Sequence, residues 1–309
     1  MGAGTVQPPP LPSPSGGGRK RRRVMTSPLL VKAHKQGREI VNVTPERMPA
    51  VCAGWSHVGF RALRLAKGEL ETLDTGAREL CIVVLSGSVD LLVDGQNYSN
   101  LGTRDSVFDA TSPAALYVPA NRSVAIGARR NAEIALCSAP AGDAASGQTR
   151  QVRVIDPATM KRSVRGQGSN QRHICDILPH DDPSAAHLLV VEVLTPAGHS
   201  SSYPPHKHDT ESPPNETQLE ETYYHRLNPA QGFAFQRVYT DDRSLDEACA
   251  VEDHDVVMVP RGYHPVVAPH GYDLYYLNVM AGPNRLWVFR NDPAHEWMLK
   301  PEALPQRVD

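Results

Sequence analysis

The sequence predicts an all-β chain made of two β-barrels with few short helices. Three observations carry that reading. Strand-length apolar or alternating runs recur through both halves. Gly, Asn and Asp turn signals punctuate them, and few helical periodicities interrupt them. The 27 prolines, 23 glycines and 6% aromatic residues among 309 favour many short strands over long helices.

Taken in order, residues 1–27 are Pro/Gly/Ser-rich and then carry Arg19-Lys20-Arg21-Arg22-Arg23. Such a segment cannot bury a core and is expected to be a disordered basic tail, most simply a solvated one. Residues 28–150 are expected to form the first barrel. Its strands read as Val58–Leu65, Glu79–Leu85 and Ser88–Val93, with turns at Ser86-Gly87 and Asp94-Gly95. Ala115–Val118 and Ser123–Gly127 read as a further hairpin. Residues 151–186 are expected to link the halves. Arg162, Arg165 and Arg172 lie there; such a loop can help hold an acidic substrate, although solvated loop charge is the plainer role. Gly166 and Gly168 are too weak a signal for a phosphate loop. Residues 187–309 are expected to form the second barrel, with strand-like runs from His187–Leu194 to Asp273–Val279. The repeated Val-Pro before a turn, at Val118-Pro119 and Val259-Pro260, hints at one duplicated barrel module.

Composition narrows the function classes. A net charge of -2 gives no polyanion-binding signal, so no nucleic-acid partner is expected. No apolar run reaches the roughly 18 residues of a membrane helix, and the start lacks the order of a secretory signal. The five cysteines are odd in number, widely spaced and free of any CxxC pattern. They read as reduced, buried thiols in a cytoplasmic protein.

The chemistry concentrates in the second barrel. His206 and His208 are two apart, so both imidazoles fall on one face of a strand. His264 follows a Pro-Arg-Gly turn and precedes Pro265, which restricts its backbone to extended geometry. Four glutamates follow the histidine pair. Glu211 and Glu216 fall in a Pro-rich loop, whereas Glu220 and Glu221 open a strand and are held more rigidly. Glu221 is preferred and Glu220 is second. Three neutral imidazoles and one carboxylate suit a catalytic Zn²⁺ or Mn²⁺, with Fe²⁺ possible. Positions left open on such an ion accept substrate oxygens. A cation holding a carbonyl and its neighbouring hydroxyl supports aldose–ketose isomerisation, given a base within reach of the moving proton.

These motifs resemble a cupin metal site. The longer strings Leu219–Pro229, Gly232–Asp242, Val259–Pro265 and Tyr275–Gly282 resemble the 5-deoxy-glucuronate isomerase family of bacterial myo-inositol breakdown. The resemblance covers about residues 28 to 300. It implies a bicupin fold, and conversion of 5-deoxy-D-glucuronate to 5-dehydro-2-deoxy-D-gluconate. A related isomerase of pectin breakdown shares the His-x-His, Glu and His set; its Glu-x-Tyr context maps onto Glu221-Thr222-Tyr223. In that relative the glutamate follows the second histidine closely, while here a Pro-rich insertion intervenes, so Glu220 and Glu211 stay open.

The first block, from about residue 40 to 142, has no His-x-His and His57 as its one histidine, so a metal-free barrel is expected there. A sugar-acid substrate calls for a cation in the pocket. Arg237 is a candidate, because strand alternation groups it with Phe233 and Phe235; Lys207 and Arg261 are the others. Tyr223, Tyr263 and Tyr276 are candidates for hydrogen bonding or proton transfer, against the commoner role of core or rim tyrosine. A homo-oligomer is expected. An iron-dependent cupin dioxygenase and a non-enzymatic sugar-binding cupin are the alternatives in other classes.

Overall fold

The computed structural model describes residues 26–142 and 150–299. The basic run Arg19 to Arg23 lies outside them. Among the described residues the regular elements are strands and short 3₁₀ turns. No helix there is long and apolar enough to cross a membrane.

Four main sheets make the molecule. In the first half a six-stranded sheet runs Arg153–Ile155, Ala114–Val118, Arg78–Ser86, Ala132–Pro140, Gly59–Leu65, Glu39–Val43. A four-stranded sheet of Leu70–Asp74, Ser123–Ala128, Val89–Val93 and Gln96–Leu101 faces it. In the second half a seven-stranded sheet runs Leu30–Val31, Val256–Val259, Glu220–Asn228, Asp273–Ala281, Leu189–Thr195, Arg172–Leu178, Lys161–Arg165. Its partner holds Ser200–Ser201, Val266–Val267, Phe233–Tyr239 and Asp246–Glu252. All the paired strands are antiparallel, the arrangement of two jelly-roll barrels.

The strand Arg78–Ser86 explains how the halves join. Its run of apolar residues is continuous because both of its faces are buried. Leu80, Ile82 and Val84 enter the core of the first barrel, packed against Leu91 and Ile126. Cys81, Val83 and Leu85 turn the other way, into a core shared with Tyr224, Leu227 and Leu277 of the second half. The two large sheets therefore lie against one another. Phe60 meets Tyr224 at 5.3 Å between ring centroids. Polar anchors cross the same seam: Arg104 holds Glu192, and Arg226 holds Glu133. The five cysteines are all free and buried, and burial, more than the nearby charges of Arg153, Asp182 and Glu79, pushes the Cys81 thiol up to about 12.

Strand pairing departs from the expected layout in two places. Residues 151–186 are not a plain linker. Arg153–Ile155 completes the first large sheet, while Lys161–Arg165 and Arg172–Leu178 form an edge hairpin of the second. Leu30–Val31 also crosses over, pairing with Val256–Val257. Short polar strands such as Lys-Arg-Ser-Val-Arg carry little apolar signal, so their pairing is set by the neighbour they meet. Second, Ala114–Val118 and Ser123–Ala128 are not a hairpin: they lie in different sheets, since the chain crosses the barrel at Pro119–Arg122. The true hairpin joins Val89–Val93 to Gln96–Leu101. Asp94 and Gly95 both adopt positive φ, 47° and 85°, as a type I′ turn requires.

Candidate metal centre

His206 starts a two-residue strand, His206–Lys207, that pairs with Arg290–Asn291. Alternation turns His206 and His208 into the second barrel and Lys207 away from it. His264 arrives after the Gly262 turn, where φ is +89° and a Cβ would strike the Tyr239 carbonyl oxygen at 2.4 Å. Glu221 comes from the long central strand Glu220–Asn228. One ring nitrogen from each of His206, His208 and His264 lies within 4.8 Å of the other two. The Glu221 carboxylate is 3.0 Å from His208 Nε2 and 3.2 Å from His264 Nε2. Glu221 is 2% exposed and His264 fully buried.

Hydrogen bonds fix which nitrogens face inward. His208 Nδ1 donates to the Leu219 carbonyl at 3.1 Å, and His264 Nδ1 donates to the Gly262 carbonyl at 2.8 Å. A carbonyl only accepts, so Nδ1 carries the proton and a neutral ring presents its Nε2 lone pair to the cluster. His264 Nε2 is buried without a hydrogen bond, although the Glu221 carboxylate lies at ion-pair distance. Lone pairs and a carboxylate thus converge with no donor among them. A divalent cation satisfies all of them at once, so the residues fit such an ion.

These groups also shift one another's protonation. Burial pushes the Glu221 carboxyl up, but hydrogen bonding and charge from His208 and His264 outweigh it and hold it down at about 2. Burial depresses His208, yet Glu221 and the Leu219 carbonyl raise it overall. His206 is driven well below the usual histidine range by burial and by its neighbours His264 and His208.

The other three glutamates have different tasks. Glu220, on the opposite face of the strand, accepts the backbone N–H groups of Ser56, His57 and Val58 at 2.6, 2.8 and 2.8 Å. Glu216 accepts the Asp209 and Thr210 N–H groups, and Glu211 accepts from Gln218 N and Asn284 Nδ2.

A cavity of about 250 Å³ opens on His206 and Glu221. Tyr223 and Tyr276 line it, 4.9 Å apart between ring centroids. The Tyr276 hydroxyl bonds Ser201 Oγ, and that of Tyr223 lies 3.4 Å from Ser202 Oγ. Burial raises both phenols, so both stay protonated at neutral pH. Tyr263 is elsewhere. Its hydroxyl donates to Asp241 at 2.9 Å, because alternation turns it to the side opposite His264, where it is buried against Tyr239.

None of the three expected cations lines this cavity. Arg237 lies on the outer face, forked onto Asp246 at 2.7 Å for both bonds. The aromatic residues beside it mislead, since Phe233 and Phe235 are 40% and 52% exposed while Ala234, Gln236 and Val238 face inward. Lys207 sits among Asp209, Glu216 and Asp241 at 2.6 to 3.6 Å. Arg261 reaches back to the Val51 carbonyl at 3.5 Å. The guanidiniums that do line the cavity are Arg165 and Arg172, from the hairpin expected to be linker. Trp287, Phe289 and Asn278 line it too and had gone unremarked; Trp287-Val-Phe289 alternates, which was the available signal.

Two jelly-roll barrels, with a His-x-His pair, a strand glutamate and a later histidine inside the second, define a bicupin. The chain belongs to the KduI/IolB family, whose model matches residues 29–298. It is 46% identical over 276 residues to a 5-deoxy-glucuronate isomerase of Geobacillus kaustophilus, covering 89% of this chain and 96% of that one. It is 50% identical over 250 residues to the enzyme of that name from Halalkalibacterium halodurans, covering 80% and 90%. Among solved structures it resembles an IolB-like protein from Salmonella typhimurium, with a TM-score of 0.83 and 44% identity over 88% of this chain and 99% of that one. An oxalate decarboxylase of Lactobacillus farciminis shares the fold at a TM-score of 0.59 and 14% identity, over 86% of this chain and 89% of that one.

Proposed function

We propose that this chain is a metal-dependent aldose–ketose isomerase that converts 5-deoxy-D-glucuronate to 5-dehydro-2-deoxy-D-gluconate. The observation that carries the reading is the convergence of three imidazoles and Glu221 on one point, beside a cavity that His206 and Glu221 line, in a chain close to half identical to isomerases of that name. His206, His208, Glu221 and His264 would hold the ion, Zn²⁺ or Mn²⁺ in first place. When bound, such an ion polarises a carbonyl and lowers the pKa of an adjacent hydroxyl.

The chain's own groups supply position and protons. Tyr223 and Tyr276 present neutral phenols to the cavity, Tyr276 with its hydroxyl bonded to Ser201. In this reading they donate hydrogen bonds to sugar oxygens and keep the reacting carbons in register. Trp287 and Phe289 limit access of water. The first barrel serves as a metal-free support, joined to the second through the shared core. The protein acts as a cytoplasmic homo-oligomer on a small sugar acid, with no nucleic acid or membrane partner.

The test is direct. Protein stripped of metal and reloaded with Zn²⁺ or Mn²⁺ should interconvert the aldehyde and ketone acids, and the His206→Ala/His208→Ala double variant should not. Full activity in the double variant sinks the proposal. Oxygen uptake on loading with Fe²⁺ would instead indicate a dioxygenase.

A further inference from the structure

We infer that Arg165 and Arg172 form a carboxylate clamp at one end of the metal cavity, which makes the protein selective for acids over neutral sugars. The inference rests on the isomerase reading for its substrate class.

The two residues face each other by register. Arg165 pairs with Arg172 across the hairpin Lys161–Arg165/Arg172–Leu178. Directly opposed residues share one face of a sheet, with Cβ atoms about 4.5–5.5 Å apart, and like charges there destabilise the pair. This face is the cavity face: Ile174, next along it, lines the same space as His206 and Glu221. Gly166 permits the arrangement. Its φ is +80°, and a Cβ there would meet the Asn170 carbonyl oxygen at 1.9 Å and Arg172 Nη1 at 2.9 Å. A glycine thus lets the Arg172 guanidinium fold across the turn.

The arginines at the seam between the barrels hold carboxylates: Arg104 has Glu192, and Arg226 has Glu133 and Asp253. Among the described residues, neither Arg165 nor Arg172 has a carboxylate within ion-pair distance. Arg172 Nη1 donates only to Asn170, at 3.2 Å to its carbonyl and 3.4 Å to its side-chain oxygen. Arg165 lies 5.8 Å from the Trp287 ring centre. Burial, and then the Arg165 charge, work against the charged form of Arg172, which is shifted below the usual arginine range. Trp287 Nε1, on the same wall, is a buried donor without an acceptor. Two guanidiniums and an indole thus line one cavity, and among the described residues no carboxylate lies within ion-pair distance of either guanidinium. A planar carboxylate bridges two such guanidiniums, because the forked geometry of arginine suits it. The opposite end of the bound molecule then faces the imidazoles.

The test uses calorimetry on the full-length, metal-loaded protein with two unreactive probes of equal length. D-gluconate carries the carboxylate, and D-glucitol has a hydroxymethyl group in its place. Wild type should bind D-gluconate at least about tenfold more tightly than D-glucitol. Arg165→Gln and Arg172→Gln should each remove about tenfold or more of the D-gluconate affinity and leave D-glucitol unchanged. Arg172→Lys should recover part of the loss, because it keeps the charge without the fork. Equal binding of the two probes by wild type, or equal loss of both in the variants, overturns the clamp. A wild type inert on uronate aldehydes removes the isomerase reading but leaves the probes to decide the clamp.

Discussion

Glu220 and Glu221 are adjacent in the chain and opposite in task, so one substitution at each separates anchoring from ligation. Glu220 is 8% exposed and receives three backbone N–H groups from the first barrel. Glu220→Ala leaves all three without their acceptor. Ser56 is exposed, so water replaces its bond at little cost. His57 is half-buried, and its loss should cost about 1 kcal/mol. Val58 is fully buried, and a stranded donor there costs about 1–3 kcal/mol. The sum is about 2–4 kcal/mol, a large share of the stability of an ordinary domain. Urea unfolding followed by tryptophan fluorescence reads it well, because Trp55 is tied to the same turn through Nε1–H to the Val58 carbonyl at 2.7 Å. Metal content after desalting should not change. Glu221→Ala should do the reverse: metal is lost, while the seam between the barrels holds. If Glu220→Ala stripped the metal and kept the urea midpoint, the assignment of the two faces would be refuted.

Tyr276→Phe should lower kcat by about 10²-fold or more if its hydroxyl serves the proton transfer, whereas Tyr263→Phe, whose hydroxyl serves Asp241, should leave kcat near wild type; steady-state kinetics on the uronate aldehyde compares them. His254 lies between Asp253 and Glu133 at 2.7 and 3.1 Å; burial lowers its pKa, but the two carboxylates raise it overall. Its contribution to stability is therefore complete below about pH 6.5, the unfolded value, and fades as pH rises through the higher folded one. Thermal unfolding between pH 6 and 9 should show His254→Gln with a shallower alkaline decline than wild type, and parallel curves would exclude this role. Gly87 has φ +79°, and a Cβ there would lie 2.1 Å from the Asn131 carbonyl oxygen. Gly87→Ala should cost at least about 1–3 kcal/mol; an unchanged urea midpoint would show that the turn relaxes freely.

The fold class and the imidazole set were legible in the chain because both depend on local periodicity. Alternation with period two marks strands wherever one face is wet, and the same period places His206 and His208 together. Positive-φ turn chemistry at Asp94-Gly95 is equally local. The face that a strand turns inward is not local, and there the reading of Phe233, Phe235 and Arg237 reversed. Aromatic residues on the outside of the small sheet cover one another and Tyr272, at 5.4 and 5.8 Å between ring centroids, instead of filling the barrel.

By itself the sequence determined that the chain is all β and that three histidines and a glutamate of the second half are chemically matched. Only the tertiary structure decided among four glutamates, by turning Glu221 to the imidazoles and Glu220 to the neighbouring barrel. It also moved the cationic wall of the cavity from Arg237, Lys207 and Arg261 to Arg165 and Arg172. The physical reason is the same in both cases. A side chain's identity and spacing are written along the chain, but the surface it faces depends on which distant strand pairs beside it.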